Sequence, residues 1–250
     1  VRNFLGKGFI LPAPIFSTDD YITTLLPTPM SRELRFMPLK ALVYDKDGQL
    51  EGDYAFGNLP RNHQKALVVN DLAQLGQDYG HVELIYDFEA GDEADSWLHA
   101  LFRYEHKTLP GQAETSFGSH IFNTAITYKN EPQSYKGQPP GLTTGLFLRV
   151  DDDIETFCHL IYPASTPWHK TSETMLILHT KDGHPIAKTS LKIPQSGSRL
   201  WVYQDTFSVS DREKARGGYV TIQDKTCRLF GYHGLRHKNG NFSLDHMFGF

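Results

Sequence analysis

Cysteine is scarce in this chain, and its scarcity limits the kinds of protein the chain can be. The 250 residues contain two cysteines, Cys158 and Cys227. Two thiols cannot build a disulfide-rich scaffold or a four-cysteine zinc site. We expect both thiols to be free and buried, and so little cysteine favours a cytoplasmic location.

Long apolar runs and blocks of basic residues are also missing. No segment reaches the roughly 18 to 20 apolar residues of a membrane-spanning helix, and no basic segment leads into a long apolar run as in a secretory signal. The 25 Lys and Arg residues are outnumbered by 29 Asp and Glu residues, so the formal net charge is −4. Neither nucleic acid nor a membrane is therefore expected as a partner.

The sequence motifs of several large enzyme classes are absent as well. We find no Gly-x-Ser-x-Gly elbow, no phosphate loop ending in Gly-Lys-Ser/Thr, no dinucleotide fingerprint after a strand and no His-Glu-x-x-His pair. These motifs mark serine hydrolases, nucleotide-binding proteins and zinc proteases. Their absence favours a protein that binds over one that catalyses a reaction.

The second half of the sequence resembles the first. Lys-Asp-Gly occurs at 46–48 and again at 181–183. Further segments match in the same order: 65–71 with 198–205, 81–106 with 219–233, and 117–123 with 243–249. The shared order predicts a duplication. A polar connector rich in Pro and Gly places the boundary near Gly137, with one domain over 1–136 and the other over 137–250.

Short apolar runs within each copy indicate strands. Residues 40–44, 174–179 and 200–203 are rich in apolar, aromatic and β-branched side chains, and Lys-Asp-Gly is typical of a hairpin turn. We therefore predict an all-β fold of two tandem, duplicated antiparallel β-sandwich units with a pseudo-two-fold relation. One short helix is expected in each copy, over 70–75 and 210–216.

The order of these segments resembles the β-sandwich of the sensory rhodopsin transducer family. Each copy has an apolar strand, a Lys-Asp-Gly hairpin, a proline and a basic residue before Val-Val-Asn-Asp71 or Val-Tyr-Gln-Asp205, and two closing strands. The resemblance covers 42–71 and 82–106, then 160–205 and 219–235. It implies oligomeric sandwiches that act by binding, and the change from Asn70 to Gln204 departs from an exact repeat.

Histidine is the plentiful reactive residue, with twelve in the chain. His120 and His246 fall at corresponding points of the two closing strands, so we consider both as ligand-binding residues. The alternative for these two is a structural ring packed among phenylalanines. A second hypothesis joins His159, His233 and His246 in a three-histidine site that holds a transition metal such as Zn and keeps one position open.

Aromatic side chains are the other candidates for ligand contacts. Trp97 and Trp201, together with tyrosines from a total of twelve, could form a platform that stacks on a sugar or a peptide. The alternative is that these rings fill the two sandwich cores.

Two function classes remain. The first is a non-catalytic binding or assembly protein without a cofactor, whose ligand is a small molecule, a carbohydrate or a protein. Exposed edge strands would allow such a sandwich to form a homo-oligomer. The second is a metal-dependent enzyme with a histidine-rich site in the second copy.

Overall fold

The computed structural model describes residues 11–30, 36–87, 96–121, 144–163 and 169–247, and most of these lie in β-strands. The strands of the first half are β1 Leu11–Ile15, β2 Tyr21–Pro29, β3 Phe36–Asp45, β4 Leu50–Pro60, β5 Leu67–Val68, β6 Gly80–Tyr86, β7 Ser96–His106 and β8 Gln112–Ile121. The strands of the second half are β9 Thr144–Arg149, β10 Glu155–Ile161, β11 Thr174–His179, β12 Pro185–Leu191, β13 Ser198–Val202, β14 Tyr219–Asp224, β15 Phe230–Arg236 and β16 Asp245–His246. The predicted all-β fold is confirmed.

Each half supplies two four-stranded antiparallel sheets. Sheet A has the order β1-β6-β3-β4 and sheet B the order β5-β2-β7-β8. Sheet C has the order β12-β11-β14-β9 and sheet D the order β13-β10-β15-β16. Adding eight to the strand numbers of sheets A and B reproduces sheets C and D, so the halves share one strand order. This shared order is compatible with the predicted duplication, which stays a prediction. The predicted boundary near Gly137 lies outside the described residues.

The two sheets of each half face each other across apolar side chains. Side chains alternate between the two faces of a strand, so each strand sends every second residue into the core. The core between sheets A and B includes Leu11, Ala13, Leu25, Leu39, Val43, Val82, Leu84, Leu98, Phe102 and Tyr104. The core between sheets C and D includes Leu146, Leu148, Cys158, Leu160, Leu176, Leu178, Trp201, Val220 and Ile222.

Strand β10, an inner strand of sheet D, is buried on both faces from Thr156 to Ile161. In β10, Cys158 and Leu160 point into the core of the second half, whereas Phe157 and Ile161 join the core of the first half. Phe157 is 2% exposed. The outward face of sheet D therefore closes the core of the first half, and we call this contact between the halves the seam.

Aromatic rings fill the middle of the seam. Phe16, which follows β1, packs its ring 5.8 Å from that of Phe157. The hydroxyl of Tyr232 on β15 donates to the carbonyl of Pro12 at 2.6 Å. Phe242 packs its ring 5.5 Å from the ring of Tyr21. Burial of several aromatic rings makes this contact a large apolar interface.

Polar contacts hold one end of the seam, and close backbone packing holds the other. At one end, the Arg199 guanidinium donates to the Lys46 carbonyl at 2.7 Å and pairs with Asp47 at 3.0 Å. At the other end, the backbone at Gly111 lies against the carbonyl of Gly240, so close that a side chain at Gly111 would collide with it. The turn between β7 and β8 thus packs on the loop between β15 and β16.

Most of the strand pairs that meet at the seam have different places in the two halves. The contacts join β8 with β16, β1 with β10 and β15, and β6 with β13. Strands β8 and β16 have equivalent places, so their contact is compatible with a pseudo-two-fold axis. Such an axis would also relate the contacts of β1 and β6 to equivalent contacts of similar extent, and the described strands do not show these. The seam therefore combines one contact between equivalent strands with head-to-tail contacts.

A side-chain amide fixes the first residues of β2 and of β10. The amide of Asn70 accepts from the Thr23 N–H at 2.9 Å and donates to the Tyr21 carbonyl at 2.8 Å. Gln204 accepts from the Thr156 N–H at 3.0 Å and donates to two carbonyls of the preceding turn. The change from Asn to Gln therefore keeps the contact, and Thr23 and Thr156 mark equivalent points of the two halves.

The predicted hairpins are present and the helices are shorter than expected. Gly48 and Gly183 have φ of +89° and +87° in the turns between β3 and β4 and between β11 and β12. A 3-10 helix covers Val69–Asp71, and two helices follow in the second half, α1 over Tyr203–Thr206 and α2 over Val209–Lys214. Helix α2 begins after Ser208, whose hydroxyl accepts from the Asp211 N–H, and not at Ser210 as predicted.

Two further expectations concern thiols and membrane spans. Cys158 and Cys227 are free and buried, which confirms the prediction for both. Within the described ranges, no helix has the length and apolar character needed to cross a membrane.

Candidate functional site

The three histidines of the predicted metal site do not converge. In sheet D, His159 lies opposite Tyr232, and Tyr232 lies opposite His246, so these three side chains share the outward face. His233 lies opposite Cys158 and Asp245, on the other face of the same sheet. Residues on opposite faces of a sheet cannot ligate one ion. Within the described ranges, no group of three or more His, Cys, Asp or Glu side chains is placed to hold a metal.

His159 is a buried residue of the seam. It is fully shielded from solvent, and its ring lies 5.4 Å from that of Tyr79 and 6.2 Å from that of Phe16. Neither ring nitrogen has a hydrogen-bond partner among the described residues. Burial, reinforced by the nearby His81, lowers the pKa of His159 to about 3. The ring is therefore neutral at physiological pH.

His246 also belongs to the seam. Its ring stacks on Phe117 of β8 at 3.9 Å, which joins the closing strands of the two halves. Burial lowers the pKa of His246 to about 4, although Asp245 acts in the opposite direction. Burial likewise lowers the pKa of His233, again against Asp245. Both histidines are held in their neutral form by desolvation.

His120 and His246 do not have equivalent places. His120 lies opposite Trp97 on β8, and its side chain lies outside the described residues. Counted from the equivalent residues Thr23 and Thr156, Tyr232 on β15 corresponds to Leu101 on β7. His246 lies opposite Tyr232, and the β8 residue opposite Leu101 is Ser116. Ser116 is thus the counterpart of His246.

The two tryptophan candidates have opposite environments. Trp201 is 6% exposed and packs in the core between sheets C and D, so it cannot contact a ligand from solvent. Trp97 is 38% exposed on the outward face of sheet B. The structure therefore separates the pair and leaves Trp97 as a surface residue.

A cleft of about 780 Å³ opens at one end of the seam. Both halves contribute to it, and its lining residues are Asp20, Tyr21, His106, Leu109, Asp153, Ile154, Glu155, Arg236, His237, Lys238, Asn239 and Gly240. The first half supplies the start of β2 and the turn after β7. The second half supplies the turn before β10 and the loop after β15. Ligand sites often lie at such junctions, since two units can approach a ligand from both sides.

One wall of the cleft holds His106 in a defined orientation. Its Nδ1 accepts from the N–H groups of Thr108 at 3.2 Å and Leu109 at 3.1 Å. The ring also packs edge-on against Tyr21, at 4.9 Å between centroids. Because Nδ1 is an acceptor, the neutral ring carries its proton on Nε2. His106 can therefore donate a hydrogen bond through Nε2.

The other wall carries charges of both signs. Arg236 donates from Nε to Glu155 at 2.6 Å, and its guanidinium lies 5.7 Å from the centre of the Phe157 ring. Asp153 and Lys238 make no ion pair with any described residue. On the first wall, Asp20 accepts from the Ser17 hydroxyl at 2.8 Å. The cleft thus offers carboxylates and cations side by side.

Sequence reasoning did not identify this cleft. The sequence does contain three successive basic residues before an Asn-Gly turn, Arg236, His237 and Lys238, and this run could have indicated a positively charged loop. Their meeting with Asp20 and Asp153 could not be predicted, because it depends on how the halves pack.

Comparisons with known proteins add little to this picture. No protein-family model and no curated protein matches the chain. A glycosyl hydrolase family 2 member from Bacteroides cellulosilyticus aligns over 98% of this chain and 29% of its own length, at 6% identity and a TM-score of 0.17. The apo form of Pleurotus ostreatus lectin aligns over 96% of this chain and 77% of its own, at 8% identity and a TM-score of 0.16. Scores this low carry no argument about fold or ligand.

Proposed function

We propose that the protein is a non-catalytic binding protein that takes a small zwitterionic ligand into the cleft at the end of the seam. The observation that carries this proposal is the presence of unpaired charges of both signs in one cleft built by both halves. Asp20 and Asp153 suit an ammonium group, whereas Lys238 and the Nε2 proton of His106 suit a carboxylate. A free amino acid or a short peptide has both groups.

Binding can be tested by nuclear magnetic resonance on the full chain. We would add the free amino acids and glycylglycine, with citrate, spermidine and maltose as anionic, cationic and neutral probes. A zwitterion is expected to shift the amide signals of 106–109, 153–155 and 237–240. The proposal fails if no zwitterion shifts them, or if only citrate, spermidine or maltose does.

Matched variants identify the cleft as the site. Asp153 and Lys238 are exposed, so changing both to alanine should leave the fold intact. We expect the double variant to bind the zwitterion at least about tenfold more weakly, since paired charges at a ligand contribute more than about 1.4 kcal/mol. Lys181 and Asp182 form an exposed pair of the same charges on a distant hairpin, and their double alanine variant should bind like the wild type.

The homo-oligomer expected from exposed edge strands is part of this proposal. Native mass measurement of the purified chain would test it, and a monomeric mass across micromolar concentrations would remove it. The resemblance to the sensory rhodopsin transducer family also remains a proposal.

A further inference from the structure

Trp97 is an exposed tryptophan on the outward face of sheet B. It lies on β7, in the middle of sheet B, and 38% of its surface reaches solvent. Tryptophan carries the largest apolar surface of any side chain, and its exposure on a sheet face costs free energy. Such residues often mark binding surfaces.

A glycine on the next strand gives the indole its position. Gly118 on β8 lies opposite His99, and a Cβ atom there would stand 2.9 Å from Cζ2 of Trp97 and 2.6 Å from Nε2 of His99. Both rings therefore rest on the bare backbone of Gly118, and their centroids are 5.7 Å apart. A larger residue at this point would push both rings away from the sheet.

The described surface around these rings mixes hydroxyls with apolar side chains. Met30 is 38% exposed and its N–H donates to the Trp97 carbonyl, and Leu101 follows His99 on the same face of β7. Thr28 on β2 lies opposite His99, and Ser116 on β8 lies opposite Leu101, so two exposed hydroxyls flank the rings. The charged residues of this face begin one row further along, where Arg103 pairs with Glu114. Among the described residues of this face, no carboxylate, lysine or arginine lies in the rows next to Trp97.

We infer that the Trp97 platform, formed by Trp97, His99 and Gly118, binds the pyranose ring of a neutral oligosaccharide. The carbon-bound hydrogens of a pyranose pack against an aromatic ring, while its hydroxyls bond to imidazole and hydroxyl groups. The platform offers both kinds of contact side by side, with the two rings tilted by 50° to each other. It lies on sheet B, apart from the cleft, and the inference stands without the proposed function.

Saccharide binding can be measured by calorimetry and by tryptophan fluorescence on the full chain. The probes are neutral oligosaccharides of glucose, mannose, galactose and N-acetylglucosamine, with an oligogalacturonate as the anionic comparison. We expect at least one neutral probe to bind at millimolar or better affinity and to change the emission of Trp97. If no neutral probe binds, or if the oligogalacturonate binds more tightly, the inference is wrong.

Variants then show whether the platform is the site. Trp97→Ala should weaken binding at least about tenfold, and Trp97→Phe should keep part of the affinity. Gly118→Val should also weaken binding, because the branched side chain displaces both rings. Tyr54→Ala removes an equally exposed aromatic ring from sheet A, 37% exposed, and should bind like the wild type. Unchanged binding by Trp97→Ala would overturn the inference.

The cleft variants separate this inference from the proposed function. Alanine at both Asp153 and Lys238 should leave saccharide affinity unchanged, and Trp97→Ala should leave zwitterion binding unchanged. Loss of saccharide binding in the cleft variant would place the sugar in the cleft and not on the platform.

Discussion

The outward faces of sheets B and D occupy the same place in the two halves and have opposite environments. Counted from Thr23 and Thr156, the sheet D residues Phe157, His159, Ile161, Phe230 and Tyr232 correspond to Thr24, Leu26, Thr28, His99 and Leu101 in sheet B. All five in sheet D are buried, whereas none of the five in sheet B is. The same strand order therefore supports either an interface or a free surface.

The difference shows that side chains, and not topology, determine which faces pack. In sheet D these five positions are apolar or aromatic, apart from the neutral His159, and they close the core of the first half. In sheet B the equivalent positions mix hydroxyls, an imidazole and leucines, a composition that water tolerates. If sheet B carried the residues of sheet D, a further copy of the chain could add head to tail without limit. The polar face of sheet B works against such growth.

Removing an aromatic ring from sheet D should have the largest effect. Phe157→Ala leaves a cavity between the halves and should lower the free energy of unfolding by about 3–5 kcal/mol. Thr24→Ala, at the equivalent point of sheet B, should change it by less than about 0.5 kcal/mol. Urea unfolding of both variants measures the contrast, and equal losses would show that the two faces do not differ in energy.

Acid should weaken the seam through His159. The folded pKa of about 3 lies below the ordinary value of 6.5, so the unfolded chain binds more protons between these values. The stability that the neutral ring contributes is complete above pH 6.5 and is lost as the pH falls towards 3. At about 1.4 kcal/mol per pKa unit, the loss is on the order of 3 kcal/mol at pH 4.

Leucine, the residue of sheet B at this place, provides the comparison for His159. The melting temperature of His159→Leu should fall less steeply than that of the wild type as the pH is lowered from 7 to 4. All other groups are the same in the two proteins, so the difference between the two pH profiles reports His159. Parallel pH profiles would contradict the assignment.

The side-chain amides of Asn70 and Gln204 hold equivalent strands, so each should contribute a similar free energy to the stability of its half. Asn70→Ala and Gln204→Ala each leave backbone groups without partners at the start of β2 or β10. Each should cost about 1–3 kcal/mol in unfolding free energy. Gln223→Ala, an exposed amide on sheet C, should cost less than about 0.5 kcal/mol. A large loss at one contact and none at the other would show that the halves are not equivalent there.

The smallest effect is expected from the ion pair on the face of sheet B. Arg103 donates from Nε to Glu114 at 2.6 Å, and both side chains are nearly half exposed. A double-mutant cycle with alanine at each position should give a coupling of about 0.2–1 kcal/mol that decreases with added salt. A coupling several times larger would mean that this face is shielded from water in solution.

Much of the fold could be predicted from local sequence. The Lys-Asp-Gly turns, the apolar strand runs and the order of matched segments all agree with the strands observed, because hairpins and alternation are short-range features. The matched segments fall on strands of equal place, β3 with β11, β5 with β13, β6 with β14, β7 with β15 and β8 with β16.

Residue matching within the last two strand pairs was less successful. Phe102 and Tyr104 of β7 share the letters of Phe230 and Tyr232 of β15, yet the first pair points into its own sandwich core and the second points away from its own. A shift of an odd number of residues moves a side chain to the other face. The same effect separates His233 from His159 and His246, and so removes the predicted metal site.

The sequence by itself determined the all-β class, the hairpin turns and the buried free thiols, and it named Trp97 as one candidate for ligand contacts. These follow from composition and from contacts between residues close in the chain. The tertiary structure decided that sheet D packs on the first half, that Trp201 is buried, and that residues from both halves form one cleft. The burial of Trp201 depends on strand register within the second half. The packing of sheet D and the cleft depend on contacts between residues more than a hundred positions apart, such as Arg199 with Lys46, which no local pattern encodes.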